Sequence, residues 1–157
     1  MAQLLEEAGF GTQNEDTLKD KFLTFSLADE DYGIEIRYVI EIIGIQKITK
    51  VPNLPIFIKG VINLRGKVIP VMDVRARFGL PARDYDERTC IVVVDIDGAA
   101  MGLVVDHVNE VADIHEDQVE PPPASSHVHS GRYVSGIGKM QDSVKILLDI
   151  ERLTSQD

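Results

Sequence analysis

Tryptophan is missing from this 157-residue chain, and aromatic residues make up only 6% of it. Rings are too few to line a ligand cage, so Val, Ile and Leu must fill the interior, a composition that favours strands. Cysteine occurs once, at Cys90, which rules out an internal disulfide framework. Its setting in the apolar run Cys90-Ile91-Val92-Val93-Val94 predicts a small buried hydrophobe in a reduced compartment. Positive charge is scarce too, with 16 basic against 26 acidic residues and a net charge of −10. That field repels phosphate backbones and anionic lipid, so no nucleic-acid partner and no direct membrane insertion are expected. No apolar run approaches the ~20 residues that span a bilayer. Met1–Glu7 lacks a basic segment followed by an apolar one, so a cytoplasmic location is expected.

What is present is a repeated β-pattern. Residues 1–20 are polar and acidic and read as a flexible leader, with one helical turn at Ala2–Ala8. Phe22–Leu27 reads as a strand, Asp29-Glu30-Asp31 as a turn, and Tyr32–Ile36 as a second strand. Ile36, Val39, Ile40 and Ile43 fall at i, i+3, i+4 and i+7, which predicts a short amphipathic helix, or a helical turn, from about Arg37 to Ile43. In such a helix Glu41 would pair with Arg37 one turn earlier. Gly60–Leu64 and Lys67–Met72 form the next hairpin, turning at Arg65-Gly66. Asp73 is the expected N-cap of a helical turn with Val74 and Phe78 on one face, closed by Gly79 in the left-handed conformation and by Pro81.

A shift of 69 positions lays Phe22–Leu27 over Ile91–Ile96, Tyr32-Gly33-Ile34 over Met101-Gly102-Leu103, and Val39, Glu41 and Ile42 over Val108, Glu110 and Val111. A shift of 76 lays Gly60-Val61 over Gly136-Ile137 and Val71–Val74 over Leu147–Ile150. The extra seven residues fall around Pro121-Pro122-Pro123, in a connection where length varies cheaply. The pattern predicts one domain over 21–157, built from two copies at about 21–83 and 84–157 with terminal strands open to exchange. Barrels of ~60 residues bury too little surface to stand alone, so the two should pack together. Cys90–Val94, apolar on both faces, suits a strand between the two layers.

Catalytic constellations are not evident. There is no Gly-x-Ser-x-Gly elbow, and Gly9-Phe10-Gly11 and Gly136-Ile137-Gly138 lack the context of a phosphate-binding loop. Asp95 and Asp97 share a strand face, but Asp97-Gly98 is a hairpin signal, and Asp73 and Asp149 are N-caps. His127-Val128-His129 would set two imidazoles on one face, with His115 and Glu116 the nearest further ligands; a solvated loop is the simpler reading. The residues therefore predict no enzyme, no cofactor and no metal. At the Arg65-Gly66 tip, Asn or Asp is expected where Arg65 stands, so a long cation projects from the turn of an acidic protein.

The stretch Phe57–Gly79, with Asn63-Leu64-Arg65-Gly66, Ile69-Pro70-Val71 and Asp73-Val74-Arg75-Ala76-Arg77-Phe78, closely resembles the hallmark of the CheW-type chemotaxis coupling family. Tyr32-Gly33-Ile34, Gly102–Asp106 and Ile146–Ile150 extend the resemblance over Lys21–Leu153. It implies an all-β fold of two tandem SH3-like five-stranded barrels packed on each other, with short helical turns. It also implies a non-catalytic adaptor that couples the cytoplasmic hairpin tip of chemoreceptors to the regulatory domain of the histidine kinase CheA. Within that resemblance Glu41, Gly60 and Arg65 match the receptor-facing surface, and Val39 matches a neighbouring position whose phase also makes it core. The kinase contacts are not placed by it. Two other readings are an adaptor of the same fold in another two-component pathway and a metal-binding barrel using His127 and His129. Partner identification tests the first and metal analysis the second.

Overall fold

The computed structural model describes residues 18–122 and 132–155. Among the described residues eleven strands run in the order β1 (Lys21–Leu27), β2 (Glu30–Glu35), β3 (Val39–Gly44), β4 (Ile58–Leu64), β5 (Lys67–Asp73), β6 (Cys90–Ile96), β7 (Ala99–Val105), β8 (His107–Asp113), β9 (Val119–Glu120), β10 (Val134–Lys139) and β11 (Val144–Leu148). Two short helices, α1 (Val74–Arg77) and α2 (Ile150–Thr154), follow β5 and β11. Each begins at the expected aspartate: Asp73 accepts from the Ala76 amide at 3.3 Å and Asp149 from the Arg152 amide at 3.1 Å. Gly79 closes α1 at φ +73°, with Leu80 N donating to Arg75 O at 2.9 Å.

The architecture is the expected all-β one of two SH3-like barrels. One sheet has the order β8-β1-β2-β11-β10-β9 and the other β3-β6-β7-β5-β4. Neighbours are antiparallel except β2 with β11 and β5 with β7. Each sheet closes because the chain leaving one edge strand returns to the opposite edge. After β8 it returns as β9 and pairs with β10; after β3 it pairs Thr49 with Val61 of β4. We call these barrel A (six strands) and barrel B (five). Barrel A takes β1 and β2 from the first half of the chain and the rest from the second, and barrel B is the reciprocal.

This exchange places the main core between the barrels. Leu23, Phe25, Leu27, Tyr32 and Ile34 of barrel A meet Val39, Met72, Val92, Val94 and Leu103 of barrel B, with Val74, Phe78, Ile150 and Leu153 of the helices beside them. Phe25, Tyr32, Phe78 and Tyr133 form a chain of ring contacts through it, at centroid separations of 5.5–6.0 Å. β6 serves two cores, as its unbroken apolar run predicts. Val92 and Val94 face the inter-barrel cluster, and Ile91 and Val93 face the interior of barrel B. Leu18 packs on the main cluster, and Asp20 O accepts from Ile114 N at 2.8 Å. Among the described residues no helix is long and apolar enough to cross a membrane.

Two local expectations are corrected. Arg37–Ile43 is not a helix: a 3-10 turn covers Ile36–Tyr38 and the remainder is β3. A bulge between Val39 and Glu41 shifts the pairing with β6, so Val39 and Ile42 both face the core three residues apart. That spacing imitates a helical period, while the β-branched run Val39, Ile40, Ile42 and Ile43 favours the strand. The first turn is Ala28-Asp29, at φ +49° and +69°, with Glu30 and Asp31 already in β2. Two positive φ values define the tight hairpin turn, and the Ala28 amide is held by Asp106 Oδ2 at 3.1 Å.

Candidate functional site

The candidate surface is built on the β4–β5 hairpin. Arg65 and Gly66 occupy its turn at φ +52° and +86°, the geometry normally supplied by Asn-Gly. Here the asparagine stands two residues earlier: Asn63 Oδ1 accepts from Gly66 N at 2.8 Å and fixes the turn. Arg65 can therefore carry a functional side chain at a position whose backbone is stabilised from elsewhere.

Arg65 does not project alone, as its place at the tip suggested. Its Nη2 donates to Glu41 Oε1 on β3, with the Arg65 side chain 70% exposed and the Glu41 side chain 25%. The Glu41 hydrogen bond and charge raise the Arg65 pKa further above its ordinary value. The predicted Arg37–Glu41 pair does not form. On a strand those side chains are not one turn apart, and Arg37 bonds Glu35 Oε2 at 2.7 Å and Tyr38 OH at 3.0 Å. Two exposed aliphatic residues stand on the strands concerned, Ile40 next to Glu41 on β3 and Val68 on β5.

The other two candidates lie beneath this surface. Gly60 is buried at φ +150°, and a Cβ there would stand 2.1 Å from Thr49 O. Only glycine lets the Thr49 segment cross and exchange hydrogen bonds with Val61, at 2.8 and 2.9 Å. Val39 is 1% exposed and packs in the inter-barrel core, so it offers no surface to a partner. The structure thus brings Glu41 and Arg65 together, with Gly60 holding the barrel closed next to them.

Two groups escaped the sequence reading. Thr49 carries no local signal of its pairing with Val61. Asp106 directly follows the apolar strand end Val104-Val105, and a carboxylate in that setting is the signal the sequence offers. It accepts from Arg75 Nε and Nη2, both at 2.8 Å, and pairs with Arg83 at 3.1 Å. Burial alone would raise its pKa, but Arg75, the Ala28 amide and Arg83 outweigh that and hold it below the ordinary carboxylate value.

Among the described residues no cluster of three His, Cys, Asp or Glu side chains could hold a metal. His127 and His129 lie outside the described residues, as does the turn predicted at Ala2–Ala8. Burial pushes the Cys90 thiol up, away from the reactive thiolate.

The ion pair ties the β4–β5 turn to β3 beside a closed barrel filled with aliphatic side chains, the build of a small β-barrel module. Residues 21–157 match the family model described as the CheW-like domain. The chain is 38% identical over 142 residues to the chemotaxis protein CheW of Klebsiella aerogenes, covering 90% of this chain and 86% of that one. It is 31% identical over 153 residues to the chemotaxis protein CheW of Helicobacter pylori, covering 97% and 92%. The solved structure of scaffolding protein TtCheW from Thermoanaerobacter tengcongensis superposes with a TM-score of 0.77 at 43% identity, covering 82% of this chain and 88% of that one. The chain belongs to the CheW-like family.

Proposed function

We propose that this protein is a non-catalytic chemotaxis scaffold that couples the cytoplasmic hairpin tip of chemoreceptors to the regulatory domain of the kinase CheA. Its relatives are named as chemotaxis proteins, and its structural neighbour as a scaffolding protein. On this reading it works in the cytoplasm at receptor arrays, reached through its partners, and needs no cofactor. The observation that carries the receptor assignment is the Arg65–Glu41 pair, in which Arg65 is exposed on a hairpin whose backbone is fixed by Asn63 and by the crossing at Gly60, and Glu41 meets it from β3. Arg65 and Glu41 make the contact; Gly60 and Val39 hold the strands that carry them. The two halves, 21–83 and 84–157, are copies of one unit that exchanged strands. In support, Asp73 N donates to Phe57 O at 2.8 Å and Asp149 N to Tyr133 O at 2.7 Å, two bonds related by the 76-residue shift.

The test is Arg65→Glu, titrated separately against a receptor cytoplasmic fragment and the CheA regulatory domain. Receptor affinity should fall at least about tenfold, since a central interface residue contributes ~2 kcal/mol or more. Kinase-domain affinity and the melting transition should stay at the parent values. Unchanged receptor binding would leave Arg65 a solvated turn residue. Loss of both partners together with the melting transition would make the effect structural.

A further inference from the structure

The chain passes between barrels at two crossings, and they are built differently. The second crossing is the single residue Asp106, between β7 of barrel B and β8 of barrel A. It is 8% exposed, and its carboxylate is gripped from three directions. Arg75 on α1, which follows β5 of barrel B, makes the two-pronged contact at 2.8 Å. The Ala28 amide, in the β1–β2 turn of barrel A, donates at 3.1 Å. Arg83, in the segment joining the halves of the chain, approaches at 3.1 Å and also holds Asp86 at 3.0 Å. That segment is fastened again where Arg75 Nη1 donates to Pro81 O at 2.6 Å and Tyr85 OH to Asp73 Oδ2 at 2.8 Å. The first crossing, Ile36–Tyr38, has Arg37 at the position 69 residues before Asp106, and that arginine is exposed.

We propose that Asp106 is a positioning residue that sets the orientation of barrel A against barrel B, with Ile36–Tyr38 as the pivot released when its ion pairs are cut. A bidentate Arg–carboxylate contact fixes angle as well as distance, and so adds geometric specificity to the packed apolar core between the barrels. Removing the Asp106 charge loosens the β1–β2 turn, α1 and the joining segment from one another, because one carboxylate ties all three together, while their other hydrogen bonds stay within one element or segment pair. A network shared in this way constrains more than its separate pairs. Partner surfaces on the two barrels would then be presented at one fixed angle.

The test is an inter-barrel distance distribution measured by pulsed electron resonance. Nitroxide labels go on Val68→Cys of β5 and Val144→Cys of β11, both exposed and one on each barrel, in a Cys90→Ala background. The parent should give one narrow distribution. Asp106→Asn should widen it at least twofold, and Arg75→Lys and Arg83→Gln should each widen it less. Lys21→Gln, which cuts the Lys21–Asp113 pair within barrel A, should leave it unchanged. A distribution of parental width in Asp106→Asn would overturn the proposal, even with a lowered melting temperature, because the network would then stabilise without orienting. Should Asp106→Asn not fold, parental widths in both Arg75→Lys and Arg83→Gln overturn it equally.

Discussion

The two barrels share a strand plan and differ in what fills them. Barrel B is aliphatic inside, with Ile62, Ile69, Val71, Ile91, Val93 and Val104 against Ile43, Ile45 and Leu64. At the corresponding offsets barrel A has Gly138 for Ile62, Lys145 for Ile69, Thr24 for Val93, Asp31 for Ala100 and Ala112 for Ile43. Its apolar cluster shrinks to Ala112, Ile114 and Leu147 with Phe22, Val119 and Met140 around them. The polar replacements satisfy one another. Lys145 Nζ bonds Asp31 Oδ2 at 2.8 Å, Ser26 and Asn109 bond Asp31 Oδ1, and Thr24 Oγ1 donates to Glu110 O at 2.7 Å. No buried side-chain polar atom lacks a partner among the described residues. A barrel of this size can accept such an interior because the apolar core between the barrels, shared by both, carries the cooperative stability.

The sharpest way to break this comparison is at the two barrel closures. Gly60→Ala forces a Cβ onto the Thr49 carbonyl at a positive φ, and should cost about 4 kcal/mol by chemical denaturation. Gly136→Ala meets Val119 Cγ1 at 2.7 Å and the Glu120 carbonyl at 3.1 Å but carries no positive φ, and should cost about 2 kcal/mol. Equal costs would mean that the closures are equally tight.

The interiors come next. Ile69→Ala should cost about 3 kcal/mol, the transfer and cavity penalty of a buried aliphatic side chain. Lys145→Met should cost only about 1 kcal/mol, because Asp31 is one-third exposed and keeps Ser26 and Asn109. A larger loss at Lys145 than at Ile69 would make the ion pair, rather than the shared core, the support of barrel A.

Acid should weaken the two carboxylate networks in the same direction. The Lys145 hydrogen bond, opposed by burial and aided by Ser26 and Asn109, holds Asp31 below its ordinary value, and Asp106 is held low as well. A depressed folded-state pKa contributes stability above the unfolded value and loses it as pH falls through the folded one. Stability measured from pH 6 to pH 3 should therefore fall below about pH 4. Lys145→Met should remove one part of that slope and Asp106→Asn the other. Slopes identical to the parent in both variants would refute the linkage.

The smallest expected effects lie at the hairpin tips. Arg65→Ala and Gln141→Ala, which the 76-residue shift relates, should each leave stability within about 0.5 kcal/mol. Only the Arg65 variant should weaken receptor binding, since Gln141 carries no charge.

Local chemistry made much of this molecule readable without coordinates. The dipeptides Arg65-Gly66 and Asp97-Gly98 mark real hairpin turns, with all four φ values positive, and Asp73 and Asp149 cap real helices. Cys90–Val94 showed its two-sided burial directly in its composition. Turn dihedrals, caps and two-sided burial depend on a few neighbouring residues, so the sequence states them. Arg65 was legible as the unusual residue of a turn, and Glu41 only through resemblance. Their pairing required β3 to be a strand rather than the helix its spacing imitated. The bulge at Val39, the crossing that demands Gly60, and the convergence of Ala28, Arg75 and Arg83 on Asp106 join residues far apart in the chain. Tertiary structure decided these because each is set by register and packing between distant strands, whose energies no local window of sequence contains.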